Sequence, residues 1–322
     1  MLSKPEGWVM VTLVGLKRTL AVTRDLHVIL AMKLSNKRRT ITFKNGFKFR
    51  LIWSQFRTLR DSYHLMKNRA IEQLEDDRFK MTSDNLEYKG TLLTIATIGE
   101  LLEKYKVEQL GEDLFKLWNG RFTFTGTAGI LYSVWELETG IYECDCLGKT
   151  VLDVGGFQGE SAVFFSAMGA KKIIVYEPVP AHHEFIRQNL SANKVDAEVH
   201  MEGVAEKDGT QTVRFGEASL GFGVLARGEN ELEIKIKDIS KVIEESGANV
   251  AKFDCEGAEE SLLSVPKEVL QSIDLYIVEV HTPAIRSAII EKFTESGFKL
   301  TKEIPRDIFI SVLYLERKTH VD

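Results

Sequence analysis

The residues best suited to chemistry fall into three clusters, each at the end of an apolar run. Val151-Leu-Asp-Val-Gly-Gly-Phe-Gln-Gly159 comes first. An apolar strand runs into Asp153 and then into Gly155 and Gly156, and Gly159 opens the next helix. Glycine lets a ligand approach the backbone closely, and open α/β sheets bind ligands at the carboxyl ends of their strands. The dinucleotide fingerprint G-x-G-x-x-G does not fit, because Phe157 or Gln158 stands where its second glycine belongs. Asp153 also sets a negative charge where a pyrophosphate would need none. A cationic ligand without phosphates suits the segment better, and S-adenosylmethionine has that chemistry.

Glu177 ends the next strand as Tyr176-Glu-Pro178, 24 residues after Asp153. A carboxylate at this place can accept both hydroxyls of a ribose. Glu202-Gly-Val-Ala205 ends a third strand and is placed to line an adenine slot. The expected cofactor-binding set is Asp153, Gly155, Gly156, Gly159, Glu177, Pro178, Val204, Ala205 and Asp254.

The remaining cluster is Val250-Ala-Lys-Phe-Asp-Cys-Glu-Gly-Ala-Glu259, beside Val278-Glu-Val-His281. Lys252, Asp254 and Glu256 alternate, so they share one strand face. Gly257 turns the chain into a helix whose first turn holds Glu259, where a negative charge favours the helix dipole. So many charges at a buried strand end are costly unless paired or functional. An acid pair beside His281 suits general-base work, with His281 first and Asp254 second, and Glu256 completing the catalytic set. The same oxygens could hold a divalent cation; the metal-free reading is preferred. His182 and His183 read as exposed residues near a helix start. Cys144 and Cys146 read as two free thiols on one strand face. With Cys255 they make an odd, small set that fits a reducing cytosol.

These residues need a scaffold, and from Thr150 onward the pattern supplies one. Strands at 149–155, 172–177, 197–205, 249–254 and 274–281 alternate with helices at 160–168, 181–193, 258–271 and 283–296. Such alternation predicts a doubly wound, mostly parallel α/β sheet. Strands at 299–304 and 308–316 have no helix between them, so an antiparallel hairpin closes the domain. Residues 1–120 predict a smaller α+β region. Its elements are helices at 8–34, 53–78 and 98–118 and hairpins at 41–51 and 86–94. The first hairpin turns at Lys44-Asn45-Gly46, placing Phe43 opposite Phe47 and Ile41 opposite Phe49. No internal repeat is evident. The domain boundary is expected near residue 120.

Composition excludes disorder and a disulfide scaffold: 44% of residues are hydrophobic and 28% charged. The net charge of −5 is unevenly spread, because residues 1–80 hold 17 Lys and Arg against 7 Asp and Glu. The apolar run Trp8–Leu16 is broken by Lys17 and Arg18, short of the ~18 residues a membrane span needs. No signal peptide or span is expected, and the protein reads as cytoplasmic. The basic head could dock an anionic acceptor at a membrane surface, grip RNA, or serve as a lid or homodimer contact. Nucleic acid is not the expected partner, since Phe43, Phe47 and Phe49 look like core rather than stacking platforms.

Residues ~150–300 resemble the FkbM family of S-adenosylmethionine-dependent methyltransferases. The family's D-V-G-A-N-x-G-E is similar to Asp153–Glu160, and its F-E-P-x-P to Tyr176–Pro180. Asn189 and Asn193 match its paired asparagines, and Asp208-Gly209 its later D-G. Its K-x-D-x-E-G-A-E is met by Lys252, Asp254, Glu256, Gly257, Ala258 and Glu259, and its E-V-H by Glu279–His281. The resemblance implies a class I, Rossmann-like fold and O-methylation of a hydroxyl on a glycan, glycolipid or other small molecule. Gly156-Phe157 departs from the family's Ala-Asn. A non-catalytic S-adenosylmethionine-binding scaffold and an RNA methyltransferase are the alternatives. The N-P-P-Y/F element of adenine N-methylation is absent.

Overall fold

The computed structural model describes residues 22–23, 25–35, 37–44, 46, 48–51, 70–75, 78–83, 86–215, 230–255, 257–306 and 309–318. The chain divides into two compact units, Met1–Asn119 and Gly120–Asp322.

In the first unit, apolar and polar residues alternate along short strands, and the apolar set forms the core. A helix, Leu26–Ser35, precedes β1 (Arg39–Thr42) and β2 (Lys48–Leu51). Ile41 pairs with Phe49 across this hairpin, and Gly46 takes the left-handed conformation. Asn45 and Phe47, the rest of the expected turn, lie outside the described residues. β3 (Ala70–Glu75), β4 (Arg78–Ser83) and β5 (Leu86–Gly90) form an antiparallel sheet, followed by the helix Leu92–Leu101. β6 (Lys106–Gly111) and β7 (Leu114–Trp118) form the next hairpin. Phe43, Phe49 and Phe79 pack edge to edge, with centroids 5.8 and 5.9 Å apart. Tyr88 and Phe115 continue that packing.

Several expected elements are corrected here. The helix at 8–34 is interrupted, because Thr23 bridges to Phe43 and donates its hydroxyl to the Thr42 carbonyl; residues 1–21 lie outside the described residues. The helix at 53–78 gives way to β3 from Ala70, and 52–69 lie outside the described residues. Leu86–Thr94 is one strand and a helix start, capped by the Thr91 hydroxyl accepting from the Thr94 N–H. The helix at 98–118 ends at Leu101 and becomes β6 and β7. A helical projection counted Leu110 as core, yet it is 49% exposed. The true period is two: Val107, Phe115 and Leu117 face inward, and Gly111-Glu-Asp turns the chain.

There is also an internal repeat. Ile71-Glu-Gln-Leu74 returns as Val107-Glu-Gln-Leu110, and Tyr88-Lys-Gly-Thr91 as Phe124-Thr-Gly-Thr127, each 36 residues later. The copies share Glu-Gln-Leu and Gly-Thr, while the buried apolar residues differ, Ile71 against Val107 and Tyr88 against Phe124. An amide side chain recurs with it. Gln73 accepts from the Arg50 N–H and donates to its carbonyl, and Gln109 accepts from the Glu87 N–H.

The second unit opens with β8 (Thr123–Gly126) and the helix Ala128–Glu138. β9 (Thr150–Val154), β10 (Lys172–Tyr176), β11 (Glu198–His200), β15 (Val250–Phe253), β16 (Leu275–Val280), β17 (Phe298–Pro305) and β18 (Ser311–Arg317) build one sheet. Its order is β11-β10-β9-β15-β16-β18-β17. All neighbours from β11 to β16 are parallel, while β18 runs antiparallel to both β16 and β17. This is the doubly wound, class I Rossmann-like architecture. β9 and β15 are buried nearly throughout, as strands covered on both faces must be. β9 lies between β10 and β15, so the strand order reverses there and a crevice opens at the strand ends.

The expected strand at 197–205 is two strands. β11 stays in the main sheet, and β12 (Gly203–Ala205) joins β13 (Gly209–Phe215) and β14 (Asn230–Asp238) in a small sheet. β13, β14 and the helix Ile239–Ser246 carried no expectation. The helix at 258–271 is a 3-10 helix, Ala258–Ser264, broken by Pro266 before a short turn, Lys267–Leu270. Cys144 and Cys146 lie in irregular chain, not on a strand.

The paired asparagines have a structural use. Asn193 accepts from the Thr123 N–H at 2.9 Å and donates to its carbonyl at 2.6 Å. Asn189 treats Thr125 the same way, at 2.7 and 3.0 Å, and also donates to the Gln158 carbonyl at 2.7 Å. They give β8 the ladder partners that a strand edge lacks. Asn189→Ala leaves those groups unpaired in a buried place. We expect a loss of about 2 kcal/mol, within the ~1–3 kcal/mol typical of buried unsatisfied groups, read as a lower urea midpoint.

Candidate active site

The turn after β9 brings Gly155 against the end of β15. Gly155 has φ +83°, and a Cβ there would meet the Asp254 carbonyl oxygen at 1.8 Å. Only glycine allows that approach. The N–H groups of this turn are all used internally. Gly155 and Gly156 donate to the Tyr176 carbonyl at 2.9 and 3.2 Å, and Gly159 donates to Gly156 at 2.8 Å. Phe157 donates to Glu177 Oε2 at 3.0 Å, and Gln158 to Glu160 Oε2 at 3.1 Å. A phosphate cradle needs such N–H groups free to point at the anion. This turn has none to offer.

Beneath the turn lies a buried cation. Lys252 is 2% exposed. Its ammonium donates to the Gly155 carbonyl at 2.6 Å and sits 3.2 Å from Asp153 Oδ1 and 3.8 Å from Asp254 Oδ2. Burial pulls this ammonium down, but Asp153 and Asp254 outweigh it and hold the pKa above its ordinary value. Asp153 is fully buried, and its other oxygen accepts from Ser161 at 2.5 Å. Burial raises the Asp153 pKa, opposed by Lys252.

A cavity of about 330 Å³ opens above these groups. One side presents Glu177, Pro178, Val204, Ile234, Ile236, Phe157 and His182. Glu177 is buried and takes three contacts: Phe157 N–H on Oε2, and Val179 N–H and His182 Nδ1 on Oε1 at 2.9 and 3.1 Å. Oε2 keeps acceptor capacity. Phe157 is itself left-handed, φ +44°, and its ring stands edge-on to His182 at 4.7 Å.

The other side is charged. Asp254, Glu279 and His281 converge there, each with a ligating atom within 4.8 Å of the others. Tyr142 sits between the two acids, its hydroxyl 2.9 Å from Asp254 Oδ2 and 3.1 Å from Glu279 Oε2. Arg306, between β17 and β18, donates to Glu279 Oε2 at 3.0 Å and pairs with Glu136. Burial and the Asp254 charge push Glu279 up to about 8. His281 Nδ1 lies 2.9 Å from Glu259 Oε1, and Nε2 lies 3.6 Å from Glu279 Oε1. Glu259 is fully buried and also accepts from the Gly257 and His281 N–H groups. With Nδ1 at hydrogen-bond distance from Glu259, Nε2 is the ring nitrogen turned toward Glu279.

The structure brings Gly155, Glu177, Pro178, Val204, Asp254 and His281 to one cavity. Asp153 is not at its wall but below it, anchoring Lys252. Gly156 packs against Val175, and a Cβ there would meet its Cγ1 at 2.2 Å. Gly159 packs on Ile186. Ala205 packs with the small sheet. Glu256 lies outside the described residues. His182 and His183 are 5% and 6% exposed, against the expectation of exposed residues, because both hydrogen-bond Glu177. Sequence reasoning missed Tyr142, Glu136 and Arg306. Only Arg306 carried a signal, as a charged residue in the loop between two strands at the ligand-binding end of the sheet.

No family model matches the sequence, and no curated protein matches it significantly. Solved structures resemble it in architecture. A protein from Streptococcus mutans assigned as a SAM-dependent methyltransferase is 9% identical, covers 87% of this chain and 86% of its own, and gives a TM-score of 0.49. SMU.776, assigned as a methyltransferase and solved with SAH, is 9% identical over 87% of each chain, with a TM-score of 0.48. A protein from Pyrococcus horikoshii assigned as an RNA methyltransferase is 16% identical over 60% of this chain and 85% of its own, with a TM-score of 0.38. Likeness at this level concerns architecture alone.

Glu160 gives a pH test of the site's burial. Its carboxylate accepts from Ser133 and from the Gln158 N–H, and burial pushes it up to about 7 from an ordinary 4.5. A raised carboxylate binds its proton more tightly in the folded state. Its contribution is fully present below pH ~4.5 and is lost as pH rises through about 7. Glu160→Gln should therefore flatten the fall in melting temperature across that window, checked by thermal unfolding at stepped pH.

Proposed function

We propose that the protein is an S-adenosylmethionine-dependent methyltransferase that methylates a hydroxyl of a glycan, glycolipid or other small-molecule acceptor. The observation that carries this reading is the turn at Gly155–Gly159, whose N–H groups are all internally bonded, beside the buried acceptor Glu177. A nucleoside cofactor without phosphates fits such a pocket, and a dinucleotide does not. Pro178, Val204, Ile234 and Ile236 supply an apolar slot for a base, and Glu177 accepts ribose hydroxyls. The negative side chains on the charged side suit a sulfonium. The FkbM-like motifs point the same way.

When bound, S-adenosylmethionine supplies a methyl group activated by its positive sulfur. His281 does the rest of the proton chemistry. Its Nε2 accepts the acceptor hydroxyl's proton as the oxygen becomes nucleophilic, and Glu259 stabilises the imidazolium that forms. Asp254 and Tyr142 shape the same wall and orient the acceptor. Holding oxygen and methyl in line is worth on the order of 7–11 kcal/mol in well-oriented systems.

No helix among the described residues is long and apolar enough to cross a membrane. The basic residues of the N-terminal unit would recruit an anionic acceptor, with a membrane surface as one source.

Two variants separate the roles. Glu177→Ala should lose S-adenosylhomocysteine binding by calorimetry. His281→Ala should keep that binding and lose ~10²–10⁴-fold in turnover. Turnover is assayed with labelled cofactor on a panel of glycans, glycolipids, small hydroxy compounds and RNA. Unchanged turnover removes His281 as the base, and labelling confined to RNA replaces the proposed acceptor class.

A further inference from the structure

The chain between the helix Ala128–Glu138 and β9 holds two sulfurs the methyl-transfer reading leaves unused. Cys144 Sγ and Cys146 Sγ are 3.1 Å apart, and both are free thiols. Two distances frame that value. A disulfide closes to about 2.05 Å. A tetrahedral zinc with bonds of about 2.3 Å would hold two thiolates about 3.8 Å apart. The observed gap is an ångström from bond formation and already too short to span a metal. Cys146 is fully buried, whereas Cys144 is partly exposed.

The surroundings favour a shared proton. The Cys144 contact and then the Lys149 ammonium hold the Cys146 thiol below its usual range, against burial. The Cys146 contact and burial raise Cys144. Lys149 itself is fixed by Asp145, the residue between the two cysteines, at 3.0 Å. Two residues earlier stands Tyr142, whose hydroxyl reaches Asp254 and Glu279.

We propose that Cys144 and Cys146 are a reversible dithiol–disulfide pair that a peroxide oxidises. The Cys146 thiolate attacks hydrogen peroxide that enters past the partly exposed Cys144: an S–O bond forms, the O–O bond breaks, and water leaves. Cys144 passes its proton to the sulfenate oxygen and attacks the Cys146 sulfur; the S–S bond forms and hydroxide leaves, taking up the proton Cys146 had shed. Two thiols and one peroxide become one disulfide and two waters.

The test needs no substrate. Full-length protein is treated with a small excess of hydrogen peroxide, followed by thiol counting and intact mass. The expected result is a fall from three free thiols to one, a mass loss of about 2 Da, and reversal by dithiothreitol. Cys144→Ser and Cys146→Ser should each abolish the mass loss, and Cys255→Ser should keep it. Stepwise gains of about 16 Da without the 2 Da loss overturn the proposal. So does a 2 Da loss that survives Cys146→Ser. Stoichiometric zinc binding by the reduced protein that is lost in Cys144→Ser assigns the pair to a metal and also overturns it.

Discussion

A single buried ammonium ties the site together. Lys252 has no water to solvate it, so its charge must be met by the protein. Asp153, the Gly155 carbonyl and Asp254 meet it, and each belongs to a different part of the site. Asp153 ends β9, Gly155 makes the turn beyond it, and Asp254 carries the end of β15 to the cavity. Removing one partner of such a buried set costs about 3–5 kcal/mol, because the remaining charge is left uncompensated. The tie is therefore a constraint on geometry more than a source of stability.

The consequences spread outward from that point. With the Gly155 carbonyl held down, the turn's N–H groups face the Tyr176 carbonyl and the Glu177 and Glu160 carboxylates. Those bonds leave an acid-lined, apolar pocket in place of an anion cradle. On the other side Asp254 is shared with Tyr142, and Tyr142 with Glu279, which links the buried cation to the wall that carries His281. Glu259 orients His281 from the turn that follows β15. The apolar and the charged side of the cavity thus rest on the ends of β10, β9, β15 and β16 in one sheet, around the place where the strand order reverses.

Much of this was legible in the sequence. The α/β alternation, the antiparallel closing hairpin, and the meeting of Glu177, Asp254 and His281 follow from strand ends and charge placement. Asp153 was misplaced because sequence shows that a carboxylate ends a strand, not whether it faces the crevice or the layer below. The partner that decides this, Lys252, is 99 positions away. The N-terminal unit was read poorly for a different reason. Its strands are short, and leucines such as Leu110 and Leu114 fit a helical period although they lie off the inward-facing positions of their strands. The 36-residue repeat is written in the sequence only as two short tetrapeptides per copy, and the role of its amide, Gln73 and Gln109, emerges once the strands are known. Tyr142 and Glu136 had no signal, since nothing in their neighbourhood in sequence distinguishes them from core and surface residues.

The central claim is that the Lys252 tie builds a pocket for a phosphate-free nucleoside cofactor. Calorimetric titration of S-adenosylhomocysteine into the wild type and Lys252→Met tests it most directly. Asp153→Asn/Lys252→Met serves as the control in which the buried charges are removed together. The account predicts binding by the wild type and at least tenfold weaker binding by both variants, including the charge-balanced one, because neither holds the Gly155 carbonyl. Wild-type affinity in the folded double variant, or no binding by the wild type, would contradict it.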